Sequence, residues 1–234
     1  MAQIGYGYGS EFHLLRFLGH HRNELESVIV KAAKAKSKDF FWFDFDYADR
    51  NKVISGDAEM VGLSFLKKAG NLLDSKKIDE LLDKVSQYKW SFDRWQHWDA
   101  VFVLDGTLYF VEAKARKDEL KSGDKKHGGT STEQILQFMK EMFPGKVTNE
   151  WVRDYYQFAN RISTVALLNK LGLRCKLLNI YFIDGYYDIE HNISKDTSEI
   201  QFRDEIEKEY KVLGLNSEDL EMFVVDVFID ANPE

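Results

Sequence analysis

The 234-residue chain carries 32 Lys and Arg against 39 Asp and Glu, with 44% hydrophobic and 30% charged residues, which fits a globular protein with a sizeable core and excludes a mainly disordered one. The single Cys175 excludes a disulfide framework or a thiolate zinc site. No apolar run approaches the ~18 residues of a membrane helix and no signal pattern opens the chain, so no membrane partner and a cytoplasmic address are expected.

The net charge of −7 is unevenly spread: residues 184–234 hold 15 acidic and 4 basic side chains, and residues 1–183 hold 28 basic and 24 acidic. A polyanionic partner is therefore permitted despite a pI near 5.5.

Apolar residues at helical spacing predict a helix over 11–36, capped by Ser10, with Gly19 as a break point. The alternation Phe41, Phe43, Phe45, Tyr47 reads as a strand. Helices are expected over 57–69 and 76–87, then strands over 98–104 and 107–115 separated by Asp105-Gly106. That dipeptide is a strong hairpin signal, because both residues tolerate the positive φ of a type I′ turn. Residues 116–130 read as a polar loop, 132–142 as a short helix and 150–171 as the longest helix, with Trp151, Tyr155, Phe158, Ile162 and Val165 along one stripe. Residues 175–183 suit a buried strand. Ser198 and Gln201 form a capping-box pattern opening a helix to Leu213, and 221–229 alternates as a last strand joining the sheet's edge. The order predicts an α/β protein with a mixed central sheet flanked by helices.

The segment Trp98–Lys114 carries the chemistry. A loop centred on Asp105-Gly106 sets Asp99 opposite Glu112, Val101 opposite Phe110 and Val103 opposite Leu108. Alternation then puts Asp99, Glu112 and Lys114 on one face, while Ala100, Phe102, Leu104 and Val111 make the other face apolar too. Two carboxylates ~5 Å apart on a hairpin buried on both sides need a counter-charge, which Lys114 or a divalent cation supplies. The competing structural reading is a buried salt bridge of Glu112 with Lys114 or Arg116, with Asp99 exposed at a strand end. The triplet acid-x-Lys occurs five times in the chain, but only the one at Glu112 follows a buried strand, an Asp-Gly turn and an opposed Asp.

Asp99, a strand-turn-strand and then Glu112-Ala113-Lys114 resembles the signature of the PD-(D/E)XK, or restriction-endonuclease-like, nuclease superfamily. Trp98 stands where the superfamily usually has Pro. The segment Tyr155–Arg161 with the strand after it resembles an uncharacterised prokaryotic branch of that superfamily, in which a Glu and a Ser follow the motif, as Glu119 and Ser122 do here. The resemblance implies an αβββαβ core over about 56–184 in a single domain, with an N-terminal helical addition (1–55) and an acidic C-terminal helix-strand addition (185–234). It implies Asp99, Glu112 and the backbone carbonyl of Ala113 as ligands of Mg²⁺ or Mn²⁺, and Lys114 as the catalytic lysine that orients or deprotonates the attacking water.

Many members take a further acid from the first core helix; Glu59 is the candidate here, with Glu24 and Glu26 as runners-up. Gln157 and Arg161, at i and i+4 on the long helix, are placed to reach phosphate or order the metal shell. Arg116, Lys117 and Lys121, with Glu119 among them, form a candidate substrate-binding loop. The expected function is Mg²⁺-dependent phosphodiester hydrolysis of nucleic acid, DNA in preference to RNA. The alternatives are a catalytically silent module of the same fold and a metal-dependent phosphoesterase acting on small nucleotides. If the basic loop over 114–126 borders a phosphate-binding cleft, the acidic C-terminal segment is expected to sit away from that cleft.

Overall fold

The structure, a computed structural model, describes residues 9–43, 60–69, 75–88, 97–122, 130–188, 193–194 and 196–232. Ser10–His20 (α1) and Arg22–Ala33 (α2) form the expected N-terminal helical pair, broken at His21 rather than at Gly19. Phe41–Trp42 (β1) follows, then Met60–Val61 (β2) and a 3₁₀ turn over Ser64–Ala69. The described part of the expected helix 57–69 is thus a short strand and a 3₁₀ turn, because Met60–Val61 pairs with a strand far along the chain. Ser75–Ser86 (α3) precedes His97–Trp98 (β3), Ala100–Leu104 (β4) and Thr107–Lys114 (β5).

The hairpin has the register that Asp105-Gly106 predicts: Ala100 pairs with Val111, Val101 with Phe110 and Val103 with Leu108. Both turn residues have positive φ, 49° at Asp105 and 66° at Gly106, as a type I′ turn requires. The Asp105 carboxylate also accepts the amides of Lys36 and Ser37, which fastens the end of the α2 segment to the turn.

A 3₁₀ turn at Lys117–Leu120 leads towards Thr130–Met142 (α4). The long helix is split. A 3₁₀ turn at Asn149–Val152, capped by the Thr148 side chain, is followed after a non-helical Arg153 (φ −107°, ψ −120°) by Tyr156–Lys170 (α5). Cys175–Ile183 (β6), the short pair Tyr187–Asp188 (β7) and Ile193–Ser194 (β8), Glu199–Leu213 (α6), Ser217–Leu220 (α7) and Val224–Asp230 (β9) complete the described elements. The predicted capping box of α6 is present, and Gly214 in the left-handed region (φ 76°) ends that helix.

β1, β4, β5, β6 and β9 form a five-stranded sheet in that order. The first two pairings are antiparallel and the last two parallel, so β4 alone runs against its neighbours. The segment expected as an N-terminal addition supplies one edge strand, and the C-terminal segment supplies the other. On one face Val101, Val103, Leu108 and Phe110 pack under α4, α5 and α6. On the other, Ala100, Phe102, Leu104 and Val111 pack under α1 and α2 through Leu14, Phe17, Leu25 and Ile29. Each such fully buried Leu, Ile or Phe contributes roughly 1.5–3 kcal/mol. Among the described residues no helix is long and apolar enough to cross a membrane.

Candidate active site at the end of the central hairpin

Alternation along β5 turns Glu112 and Lys114 to the α5 side of the sheet, with Leu108 and Phe110. Regular β4–β5 pairing ends at Ala100–Val111, and the chain bends at Asp99, where His97 and Trp98 leave to join β2. The Asp99 amide still donates to the Val111 carbonyl at 3.1 Å. Its carboxylate Oδ2 accepts the Ala113 amide at 2.7 Å, which holds the acid against the β5 backbone between Glu112 and Lys114.

Glu112 is 5% exposed and carries two cations. Lys114 Nζ lies 2.6 Å from its Oε1, and Arg161 Nη2, reaching down from the second turn of α5, lies 2.6 Å from its Oε2. Arg161 also donates to the His97 carbonyl at 3.2 Å and stands 6.0 Å from the Trp98 ring centroid. The Gln157 amide, oriented as its neighbours require, accepts from both terminal nitrogens of Arg161 at 2.8 and 3.1 Å. The Gln157 main-chain N–H donates to Ser122 Oγ at 3.0 Å, and the Ser122 N–H donates to the Asp154 carbonyl at 2.7 Å, so the segment after β5 is tied to the start of α5.

The i, i+4 pair Gln157–Arg161 is therefore brought to the acids and spent on orienting Glu112 rather than left facing solvent. The competing structural reading holds in part: the Glu112–Lys114 pair exists, but Arg161 takes the second place offered to Arg116. Arg116 instead pairs with Glu119 at 3.5 Å and lies over the Tyr186 ring at 4.3 Å.

Burial first, then the negative charge of Glu112, pushes the Asp99 carboxyl up to about 8, against the opposing pull of Lys114, the Ala113 N–H and Arg161. For Lys114, burial works against the charged form, but Glu112, Asp99 and Glu119 outweigh it and Arg161 together, and its pKa is raised. Lys114 is thus a standing cation, suited to stabilise negative charge rather than to take a proton.

Two buried donors here have no hydrogen-bond partner among the described residues, Arg161 Nε and Trp98 Nε1. Buried polar groups are nearly always satisfied, and two N–H donors left open beside the acids suit an acceptor such as water or a substrate oxygen. Asp99, Glu112 and the Ala113 carbonyl form an all-oxygen donor set, and Mg²⁺ needs only one or two carboxylates beside substrate phosphates. The residues present fit a hard divalent cation on that count. No group of three or more His, Cys, Asp or Glu able to hold a metal occurs among the described residues, and Glu59 lies outside them. Glu24 and Glu26 belong to α2 on the opposite face, paired with His21 at 3.0 Å and Trp42 Nε1 at 2.8 Å.

The predicted substrate loop is anchored at several points. Lys117 donates its main-chain N–H to Thr197 Oγ1, and Glu119 accepts from Ser10 Oγ at 3.1 Å and from the Ala115 amide at 3.4 Å. Lys121 pairs at 3.3 Å with Glu205 of α6, which also takes Lys208 at 3.2 Å and the Tyr155 hydroxyl at 2.8 Å. The acidic segment thus lies beside the loop and, through Glu209, near Lys114, against its expected placement away from the cleft. The buried stripe of α6 (Phe202, Glu205, Ile206, Glu209, Tyr210, Leu213) presses the helix onto the site's side of the sheet.

A polar row that sequence reasoning missed crosses the sheet. Asn179 on β6 is the register partner of Glu112 on one side and of Asp226 on β9 on the other. Asp226 accepts from Asn179 at 2.8 Å, Tyr210 at 3.3 Å and Tyr181 at 3.5 Å. Glu209, 2% exposed, is held well above the usual carboxylate range by burial and by Asp226, with Lys114 pulling the other way. The signal was available: Asn179 and Asp226 each interrupt an otherwise apolar strand run.

Comparison of the chain with family models, with curated proteins and with solved structures returns no match.

Proposed function

We propose that this protein hydrolyses phosphodiester bonds of nucleic acid, DNA in preference to RNA, at a Mg²⁺- or Mn²⁺-dependent site formed by Asp99, Glu112 and Lys114. The observation that carries the reading is the meeting of these three side chains at the bend where β4 leaves β5. With β2, α3 and β3 inserted after β1 and α4 inserted before α5, the path α2–β1–β4–β5–α5–β6 follows an αβββαβ order, whose first helix and strand come from the segment before the expected core at 56–184. The antiparallel second strand in a sheet ordered along the chain supports the restriction-endonuclease-like reading.

Asp99, Glu112 and the Ala113 carbonyl would hold the cation, which when bound would supply Lewis-acid polarisation of a phosphate and a more acidic water. Lys114, kept charged by Glu112, stabilises the nucleophile and the charge developing on phosphorus-bound oxygens. Arg161 holds Glu112 in orientation, and Gln157 holds Arg161. Of the candidate phosphate contacts, Lys117 keeps a side chain without an ion pair among the described residues, whereas Arg116 is paired with Glu119 and Lys121 with Glu205.

One observation favours the silent-module alternative: both Glu112 oxygens already face cations at 2.6 Å. A cleavage screen over single-stranded, double-stranded and branched DNA and RNA, with Mg²⁺, Mn²⁺ or EDTA, separates the two. The proposal expects metal-dependent cleavage that Asp99→Asn abolishes; Mn²⁺-independent nucleic-acid binding without cleavage would establish the module.

A further inference from the structure

β9 closes the sheet on the side away from β4 and pairs there with β6. At one end of this ladder the Leu177 amide donates to the Phe223 carbonyl, and at the other the Ala231 amide donates to the Ile183 carbonyl. The parallel register between them turns the N–H and C=O of the odd-numbered residues inward to β6. Those of Val224, Asp226, Phe228 and Asp230 therefore point outward, and none has a backbone partner among the described residues. Unlike the two-residue β1 at the other edge, β9 is seven residues long, and it contains neither Lys nor Pro, which commonly block edge pairing. Its central charge, Asp226, is turned inward to Asn179 and Tyr210. Such an edge is a template for a further strand.

The two ends of β9 differ in charge. At its start Lys34, Arg174 and Lys176 gather round Glu221: Lys34 pairs with the carboxylate at 3.6 Å, Lys176 donates to the carbonyl at 2.9 Å, and Arg174 repels Lys176. At its finish Asp196 and Asp230 both repel Asp184, and Arg16 donates to the Ala231 carbonyl beside them. α6 runs against β9, with Arg203 over Phe228 and Tyr210 bonded to Asp226. Ile200 shares a helical stripe with Arg203, Glu207 and Lys211, so it lies towards the Asp230 end, whereas Met222 lies just before Val224. These two apolar side chains are 72% and 71% exposed. A groove of about 520 Å³ between α6 and β9 leaves room for the side chains of an added strand.

We propose that a second copy of this chain pairs with this edge, β9 against β9, antiparallel about a two-fold axis at Val227. Only registers that oppose outward residues to outward residues form hydrogen bonds. Centring on Asp226 opposes that acid to itself, and centring on Phe228 opposes Asp226 to Asp230, both unfavourable. Centres nearer either end leave part of β9 without a strand partner. Centring on Val227 opposes Val224 to the partner's Asp230 and Asp226 to the partner's Phe228, so no acid faces an acid. It forms about eight backbone hydrogen bonds, two from each of the four opposed pairs. The basic start of one β9 then lies on the acidic finish of the other, and each Met222 comes towards the partner's Ile200. The two five-stranded sheets become one, and the pairing draws on neither Asp99 nor Glu112.

Analytical ultracentrifugation of the full chain over about 1–100 µM tests it, with a dimer expected in that range. Asp230→Pro removes an outward N–H and leaves the ladder to β6 in place, so the dimer should weaken about 10-fold or more while the far-UV circular dichroism stays that of wild type. Cysteine substitution reads the register. Opposed Val227 residues would stand ~4.5 Å apart at Cα, within disulfide reach, so Val227→Cys should link two copies when treated with diamide. Val225→Cys, opposed to the partner's Ile229 rather than to itself, should not. The chain's one native cysteine, Cys175, is buried, so wild type gives the background. A monomer throughout the range would leave the edge to a different partner and overturn the proposal. So would a dimer unchanged by Asp230→Pro, or Val225→Cys linking as readily as Val227→Cys.

Discussion

Arg161 on α5 and Glu112 on β5 meet at 2.6 Å, with side chains 9% and 7% exposed. The guanidinium is the longest-range element of the site, and it neutralises a carboxylate that Lys114 alone holds on one oxygen only. An ion pair this buried contributes little net stability when intact but leaves an uncompensated charge when one partner is removed.

Arg161→Ala is therefore expected to destabilise the fold by about 3–5 kcal/mol. Arg161→Lys recovers part of this, since lysine restores the charge without the forked contact to Gln157 and His97. Urea unfolding monitored by Trp fluorescence measures it; a loss under about 1 kcal/mol would mean that Glu112 finds water or another cation instead.

Asp99 gives the site its pH dependence. Its carboxyl stands near 8 in the folded chain against 3.8 as the ordinary value, so between these pH values the folded state holds a proton that the unfolded state has lost. Its contribution to stability thus falls as pH rises through that window. A divalent cation competes with the same proton, so Mn²⁺ affinity should climb from pH 6 towards pH 8, level above it, and be accompanied by proton release. Titrations in two buffers of different ionisation enthalpy read the released proton. Flat affinity over this range, or a slope retained in Asp99→Asn, would remove Asp99 from the ligand set.

Glu205 pairs with Lys121 at 3.3 Å and so competes with any phosphate for that lysine. Glu205→Gln keeps an acceptor for the Tyr155 hydroxyl while removing the charge. DNA binding is expected to strengthen at low ionic strength and to converge on wild type as salt screens the change. Equal affinity at low salt would show that Lys121 does not face the nucleic acid.

The hairpin register, the burial of both its faces and the ends of α6 were legible because each is set locally: by Asp105-Gly106, by period-two alternation, and by Ser198, Gln201 and Gly214. What was not legible depends on distant pairing. Phe41–Trp42 becomes the edge strand beside β4, and Met60–Val61 pairs with His97–Trp98, through partners far away in sequence. The i, i+4 spacing of Gln157 and Arg161 gave a shared helix face but not its target, because parallel strands joined by a helix have no turn to fix their register. For the same reason the row Glu112–Asn179–Asp226 emerges only when β5, β6 and β9 are set side by side.

The separation of binding from turnover at Lys114 bears most directly on the central claim. In one experiment, Mn²⁺ titration by calorimetry and cleavage of a labelled DNA duplex are measured on wild type, Asp99→Asn and Lys114→Ala. The account predicts that wild type binds Mn²⁺ and cleaves, and that Asp99→Asn loses both. Lys114→Ala should keep Mn²⁺ affinity within about threefold while cleavage falls by ~10²-fold or more, because the lysine stabilises charge in the reaction and holds no metal. Equal loss of metal binding and cleavage in Lys114→Ala would make that lysine a structural counter-ion of Glu112, and absence of Mn²⁺ binding in wild type would contradict the metal site itself.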